Sequence, residues 1–237
     1  LKNDVKISES INKIKTYTEL KKENNNIFKF LKEQGFRSTS ERLKSNSFIS
    51  SDNDNIVQKK EIEPKYQLIN SKKNFEKILN EIEKKGICAI DTETNSLNIE
   101  KAELVGISLC YSYNISYYIP INHTTPDGSK RVNGQLDEKY VINLINKICE
   151  NKSILKIGQN IKYDIRILNK YGVNFNSIAD TMLISYSIDN GIYKHNLDDL
   201  SFNHLNHTTI KYKEVVGTGK NEITFDKVTI DNAINYA

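Results

Sequence analysis

The sequence predicts an α/β fold, a mixed sheet flanked by helices and preceded by a helical arm. Three observations carry this. From Pro64 onward, short apolar runs alternate with amphipathic stretches, the pattern of strands and the helices that cover them. The runs 104–111 and 116–121 are separated only by a turn near Asn114, which makes them antiparallel neighbours. Residues 1–44 carry helical periodicity in a basic, polar context, so they read as an arm outside the main core.

Taken in order, Ile7, Ile11 and Ile14 share one helical face, and Thr16-x-x-Glu19 is a capping box before Leu20, Ile27, Phe28 and Leu31. Gly35 is a natural stop. Residues 45–63 are polar with little pattern and read as a linker. The body spans 64–237 and begins with a short strand at 66–69. Ser71 then caps a helix whose Phe75, Ile78, Leu79 and Ile82 fall on one face, with Gly86 ending it. A strand at 87–93 precedes the antiparallel pair. Asp137 caps a helix running through Val141, Leu144, Ile145 and Ile148. Residues 154–158 form a strand and 160–171 a helix stopped by Gly172. Short helical pieces fill 179–188 and 196–205, a glycine-containing loop occupies 217–221, and a last helix starts near Asp226. No Gly-x-Gly-x-x-Gly follows any strand, which excludes a dinucleotide-binding fold. The acid-bearing meander followed by alternating helices and strands is compatible with a ribonuclease H-like sheet.

Apolar residues make up 38% of the 237, enough for one sizeable core. No apolar stretch approaches the roughly 18 residues of a membrane span, so no membrane association is expected. The start is polar and mixed in charge, unlike a signal peptide. Cys88, Cys110 and Cys149 lie far apart without CxxC spacing and read as buried thiols of a reducing, cytoplasmic compartment. Residues 1–50 hold 11 Lys/Arg against 6 Asp/Glu, whereas 51–237 hold 23 against 24. The body is therefore no general polyanion binder, and must grip any nucleic acid with metals, amides and a few local cations.

The chemistry concentrates at Asp91-Thr92-Glu93-Thr94, which closes the apolar run Ile87-Cys88-Ala89-Ile90. Carboxylates at i and i+2 leave a strand on one face, their Cα atoms roughly 6.5–7 Å apart. Two such charges are costly together unless a cation sits between them. Hard oxygen donors suit Mg²⁺ or Mn²⁺, although such a pair can also simply open a polar turn. A second acid, Asp164, follows the strand at 154–158. On a helix starting near Asn160 it shares a face with Asn160 and Tyr163, while Ile161, Ile165 and Leu168 form the buried stripe. Asp180 and Asp198 read as helix caps.

Several segments occur in a telling order: Asp91-Thr-Glu-Thr-Asn-Ser-Leu97, Leu104-Val-Gly-Ile-Ser108, Tyr118-Ile-Pro120, Lys156-Ile-Gly-Gln-Asn-Ile-Lys-Tyr-Asp164, Asp180-Thr-Met182, His195-Asn-Leu-Asp198 and Gly217-Thr-Gly-Lys-Asn221. From Tyr66 to the last residue the chain resembles the 3′–5′ exonuclease (proofreading) domain of the bacterial DNA polymerase I family, Klenow-type, of the DEDD superfamily. Residues 1–44 resemble the end of the 5′-nuclease domain that precedes it there.

The resemblance implies two-metal hydrolysis of the 3′-terminal phosphodiester of single-stranded DNA, with two divalent ions, Mg or Mn, held by four carboxylates. Asp91 would bridge both ions, Glu93 would bind the one that activates water, and Asp164 would serve the second, partly through water. Tyr236 matches the tyrosine that orients the attacking water. The family's fourth carboxylate would be residue 240, beyond Ala237, so weak or no activity is expected of these 237 residues. Leu97 would wedge against the terminal bases, Asn160 would bond near the sugar-phosphate, and Tyr212 would stack beside a base. The Gly217–Lys220 loop could contact a phosphate or be an ordinary turn. The implied partners are a single-stranded DNA 3′ end and a polymerase domain in the parent chain, with the fragment itself a monomer. A ribonuclease D-like RNA exonuclease and a non-catalytic spacer of the polymerase are the alternatives.

Overall fold

The computed structural model describes residues 25–34, 36, 39, 64–189 and 194–237. The chain divides into two compact units, 1–57 and 58–237. In the first, α1 (Asn25–Glu33) is a helix with Leu31 buried. The isoleucine face, the capping box, the Gly35 stop and the linker of the sequence reading lie outside the described residues.

The second unit holds a six-stranded mixed sheet in the order β1-β4-β3-β2-β5-β6. Its strands are β1 (Lys65–Leu68), β2 (Ile87–Thr94), β3 (Leu104–Ser112), β4 (Ile115–Pro120), β5 (Leu155–Gly158) and β6 (Ile178–Asp180). The β2–β3 and β3–β4 pairs are antiparallel, and β1–β4, β2–β5 and β5–β6 are parallel. The helices are α2 (Lys72–Lys85), α3 (Glu138–Glu150), α4 (Lys162–Asn169), α5 (Thr181–Ile188), α6 (Leu197–Leu200), α7 (Tyr212–Val216) and α8 (Ile230–Tyr236). Among the described residues no helix is long and apolar enough to cross a membrane.

The local chemistry explains the boundaries. Ser71 accepts from the Asn74 N–H and starts α2, while Gly86 ends it at φ 67°, a conformation in which a Cβ is strained. Phe75, Ile78, Leu79 and Ile82 are the buried face. Asp137 accepts from the Tyr140 N–H and starts α3. These two helices pack on the sheet over one core that also takes Ile161, Ile167 and Leu168 from the start and body of α4. A second cluster, Val105, Tyr118, Val216, Phe225, Val228 and Ala233, seats α7 and α8.

Five expectations need correction. Residues 179–180 finish β6, so α5 starts only at Thr181, with Asp180 as its cap. Asn160 is not helical: its φ of 55° puts it in the left-handed region, and α4 starts at Lys162. The stretch after Asp226 is first a single 3₁₀ turn, and α8 begins at Ile230 behind its cap Thr229. Cys110 is half-buried rather than buried, because it lies where β3 runs out towards solvent, while Cys88 and Cys149 are buried as expected. Asp198 does not cap α6: Asn196 does, and Asp198 instead pairs with Lys211 at 2.6 Å and takes a hydrogen bond from Thr209.

Candidate active site

β2 is longer than the strand beside it. Its parallel register with β5 ends at Ala89–Ile157, whereas its pairing with β3 continues to Thr94. Beyond Ala89, one backbone edge of β2 has no strand partner. Asp164 occupies that edge: its Oδ1 accepts from the Thr92 N–H at 2.9 Å and from Thr92 Oγ1 at 2.6 Å. A residue 72 positions away in sequence is thereby fixed beside Asp91 and Glu93. The bulge between Glu93 and Thr94 ends the regular ladder at this point.

On the opposite edge Asp91 pairs with Ser108 and Glu93 with Gly106, and Ser108 pairs in turn with Tyr118. Paired residues project to the same face, so Asp91, Glu93 and Tyr118 share one. Gly106 has a steric reason there. A Cβ on it would come within 2.2 Å of Tyr118 Oη, so the tyrosine ring lies where a side chain would otherwise be.

All three neighbouring acids are raised above the ordinary carboxylate range. Asp91 stands at an open floor that water reaches, yet crowding by protein atoms raises its carboxyl pKa. Glu93 is buried, and burial first, then the charges of Asp91 and Asp164, hold it well above the ordinary carboxylate range. Asp164, 2% exposed, is raised by burial and by Asp91, with the two Thr92 bonds working in the opposite direction. Neighbouring carboxylates that are all raised are what a cation would relieve, and three hard oxygen donors suit Mg²⁺ or Mn²⁺. Among the described residues no group of three acids, histidines or cysteines stands close enough together to hold a metal ion as it is.

The tyrosines and the exposed candidates fall around this recess. Tyr236, on the last turn of α8, packs its ring 5.6 Å from Phe225 and 6.1 Å from Tyr212. Burial raises its phenol, and the charges of Glu93 and Asp91 add to the shift, which puts the phenol in the neighbourhood of these acids. Tyr212 stacks on Phe225 at 6.4 Å and is raised by burial and by Glu93. Leu97 is 84% exposed, which separates it from the core. Asn160 is also exposed, and its N–H donates to Asp180 Oδ1 at 3.0 Å. No described contact joins the Leu97 or Asn160 side chain to the carboxylates. At the Gly217–Lys220 loop, Gly217 closes α7 with φ 80° and a short 3₁₀ turn follows.

A sequence profile of the 3′–5′ exonuclease family matches residues 66–237. The chain belongs to this family. Over 165 residues it is 41% identical to DNA polymerase I of Rhizobium leguminosarum, a match covering 64% of this chain and 16% of that protein. Over 175 residues it is 32% identical to DNA polymerase I of Pseudomonas aeruginosa, covering 73% and 19%. The chain thus spans under a fifth of the length of these curated relatives. Among solved structures, the catalytic core of RRP6 from Trypanosoma brucei aligns with a TM-score of 0.52 at 12% identity, over 84% of this chain and 50% of that one. The Aedes aegypti Nibbler EXO domain gives 0.50 at 16% identity, over 72% and 79%. At such identities the likeness bears on the fold, and the ribonuclease H-like α/β reading stands.

Two features of this site are not legible in the sequence. Period-two alternation assigns Thr92 to the face away from Asp91 and gives no hint that its N–H and hydroxyl anchor Asp164. Helical spacing puts Tyr163 on the face of Asp164 but does not reveal its bonds: its Oη lies 2.6 Å from Thr94 Oγ1 and donates to Ser96 O at 2.9 Å. The proximity of Thr94 to Asp91 and Glu93 in the motif was the available signal.

Proposed function

We propose that residues 64–237 act as the 3′–5′ exonuclease domain of a polymerase chain, with 1–44 as a helical arm and 45–63 as linker, and that the domain hydrolyses the 3′-terminal phosphodiester of single-stranded DNA. The observation that carries the reading is the seating of Asp164 on the Thr92 N–H, beside Asp91 and Glu93. Asp91, Glu93 and Asp164 would hold two divalent ions, Mg or Mn. Such ions supply an activated water and stabilise the leaving oxygen without a strong protein base.

The chain's own residues supply the rest. Tyr236, near enough to Glu93 and Asp91 to feel their charge and with its phenol raised above the ordinary range, would donate to or orient a water on the attacking side. Leu97, largely presented to solvent, offers an apolar wedge for the terminal bases. Tyr212, stacked on Phe225, offers an aromatic surface that accepts any base. Asn160, held in its left-handed conformation by the bond to Asp180, presents an amide for the sugar-phosphate.

The test is single-turnover incubation with 5′-labelled single-stranded DNA and RNA of equal length, in Mn²⁺, Mg²⁺ or EDTA. Weak but stepwise shortening of the DNA from its 3′ end, lost in EDTA and in Asp91→Ala, is the expected result. Faster trimming of RNA would favour an RNA exonuclease. No metal-dependent cleavage, together with no Mn²⁺ binding by electron paramagnetic resonance, would leave a structural spacer.

A further inference from the structure

The segment that carries Tyr236 is tied to the sheet by a buried imidazole. His123 follows β4 by three residues and is 0% exposed. Its Nδ1 lies 2.8 Å from Val228 O, and its Nε2 2.6 Å from Tyr118 Oη. A carbonyl only accepts, so Nδ1 carries the proton and Nε2 accepts from the Tyr118 hydroxyl. The tautomer is thus set by its two partners. The backbone of His123 is fixed separately: its N–H donates to Gln135 Oε1 at 2.8 Å, and its carbonyl accepts from Gln135 Nε2 at 2.9 Å.

The two ends of this link belong to the sheet and to the start of α8. Tyr118 is buried on β4 over Gly106, on the face that carries Asp91 and Glu93. Val228 immediately precedes Thr229, the cap of α8. Next to the His123 bond, the Thr124 N–H donates to Asp226 O at 2.7 Å, and Thr124 Oγ1 to Asp226 Oδ2 at 3.0 Å. The rings of His123 and Phe225 are 5.9 Å apart, and Phe225 is also the surface on which Tyr236 packs.

We propose that His123 is a positioning residue that fixes the start of α8 against the carboxylate-bearing sheet and, through that helix, sets Tyr236 over Glu93 and Asp91. This rests on the exonuclease reading of the site. Tyr236 sits seven residues beyond Thr229 on α8, so a tilt at the helix start moves its hydroxyl by a comparable arc. His123 itself touches neither Asp91 nor Glu93 in any described contact, and acts only through the segment it holds. Burial lowers the imidazole pKa, which keeps the ring neutral and able to accept from Tyr118. The ionisable groups facing it are Tyr118 and Asp226.

The two ring bonds can be cut separately, because asparagine places an amide near the Nδ1 position and glutamine an oxygen near the Nε2 position. His123→Gln keeps the Tyr118 bond and loses the Val228 bond. His123→Asn with Tyr118→Phe keeps the Val228 bond and leaves no hydroxyl unpaired. Both are compared with the parent by amide hydrogen exchange over residues 230–236 and by single-turnover 3′ trimming, well below their melting temperatures. In His123→Gln the α8 amides should exchange about tenfold faster or more, and trimming should slow by about tenfold or more with DNA affinity little changed. The double variant should keep parent-like exchange and most of the rate. Introduced into Tyr236→Phe, His123→Gln should slow trimming no further.

Equal damage in the glutamine and double variants, unchanged α8 exchange in His123→Gln, or an additive loss in Tyr236→Phe would each overturn the proposal. A Tyr236→Phe chain that trims at the full rate would remove the catalytic role of Tyr236 and the catalytic part of this inference. The exchange measurement needs no nucleolysis, so failure of the exonuclease reading is distinguishable from failure of the His123 link.

Discussion

Replacing Asp164 by Asn tests the electrostatics of the site most directly. The amide keeps an oxygen that can accept from the Thr92 N–H and hydroxyl, now at 2.9 and 2.6 Å, and discards the charge. Like charges on neighbouring side chains repel by about 2 kcal/mol at an effective dielectric of about 20. Without divalent ions at pH 8, Asp164→Asn should therefore stabilise the domain by about 2 kcal/mol, a rise in Tm of about 4–8 °C for a domain of this size. The pH dependence follows from the sign of the shifts. Asp91, Glu93 and Asp164 all have folded pKa values above their unfolded ones. Their contribution is most favourable below the ordinary carboxylate range and is lost as pH rises through the folded values. His123 works the other way: its lowered pKa contributes stability that is lost as pH falls below the ordinary histidine range. Since His123 is common to both chains, the difference between parent and Asp164→Asn isolates the acid cluster. Melting in EDTA between pH 5 and 8, followed by circular dichroism, should show a gap that widens with pH. Adding Mn²⁺ should stabilise the parent more than the variant. A variant that melts below the parent in EDTA at pH 8, or a gap independent of pH, would refute the reasoning.

Gly106→Ala should cost about 3 kcal/mol or more, at the upper end of overpacking penalties, because the new methyl meets Tyr118 Oη at 2.2 Å. Tyr118→Phe should not rescue it, since ring carbons remain at 2.4 and 2.6 Å; urea denaturation of the two chains checks both statements. Leu97→Ala should change stability by less than about 0.5 kcal/mol, given 84% exposure, while weakening single-stranded DNA binding measured by fluorescence anisotropy. Asp180→Ala removes the acceptor for the Asn160, Met182 and Leu183 N–H groups. It should cost about 1–2 kcal/mol in denaturant unfolding and lower DNA affinity, whereas Asp180→Asn should lose much less.

The parts of this fold that could be read from the chain are those in which one residue type settles the geometry. Ser71 and Gly86 bracket α2 because a hydroxyl cap and a left-handed stop leave few alternatives, and Phe75 to Ile82 mark its buried face. The antiparallel pair around Asn114 was legible for the same reason, since the turn is too short for any other connection. Asp91 and Glu93 sit on one face because a strand repeats every two residues. The parallel pairings were not legible. β6 is three residues long, too short for alternation to register, and its Asp180 is both strand end and helix cap. Asn160 was absorbed into a helix because nothing local forbids it. What places it in the left-handed region is a bond to Asp180, twenty residues on. Tyr118 and His123 show the same limit, since their pairing depends on a glycine in the neighbouring strand and a carbonyl from the far end of the chain.

The unpaired edge of β2 ties recognition of the fold to assembly of its chemistry. A strand slipped by one position would turn Asp91 and Glu93 away from the recess and, in the same motion, swing the Thr92 amide out of reach of Asp164. Misregistered chains therefore lose acid presentation and acid anchoring together, with no half-built state in between. Main-chain nitrogen supplies one of the two anchoring bonds, so most side chains at position 92 would preserve half of the grip, and proline would abolish it.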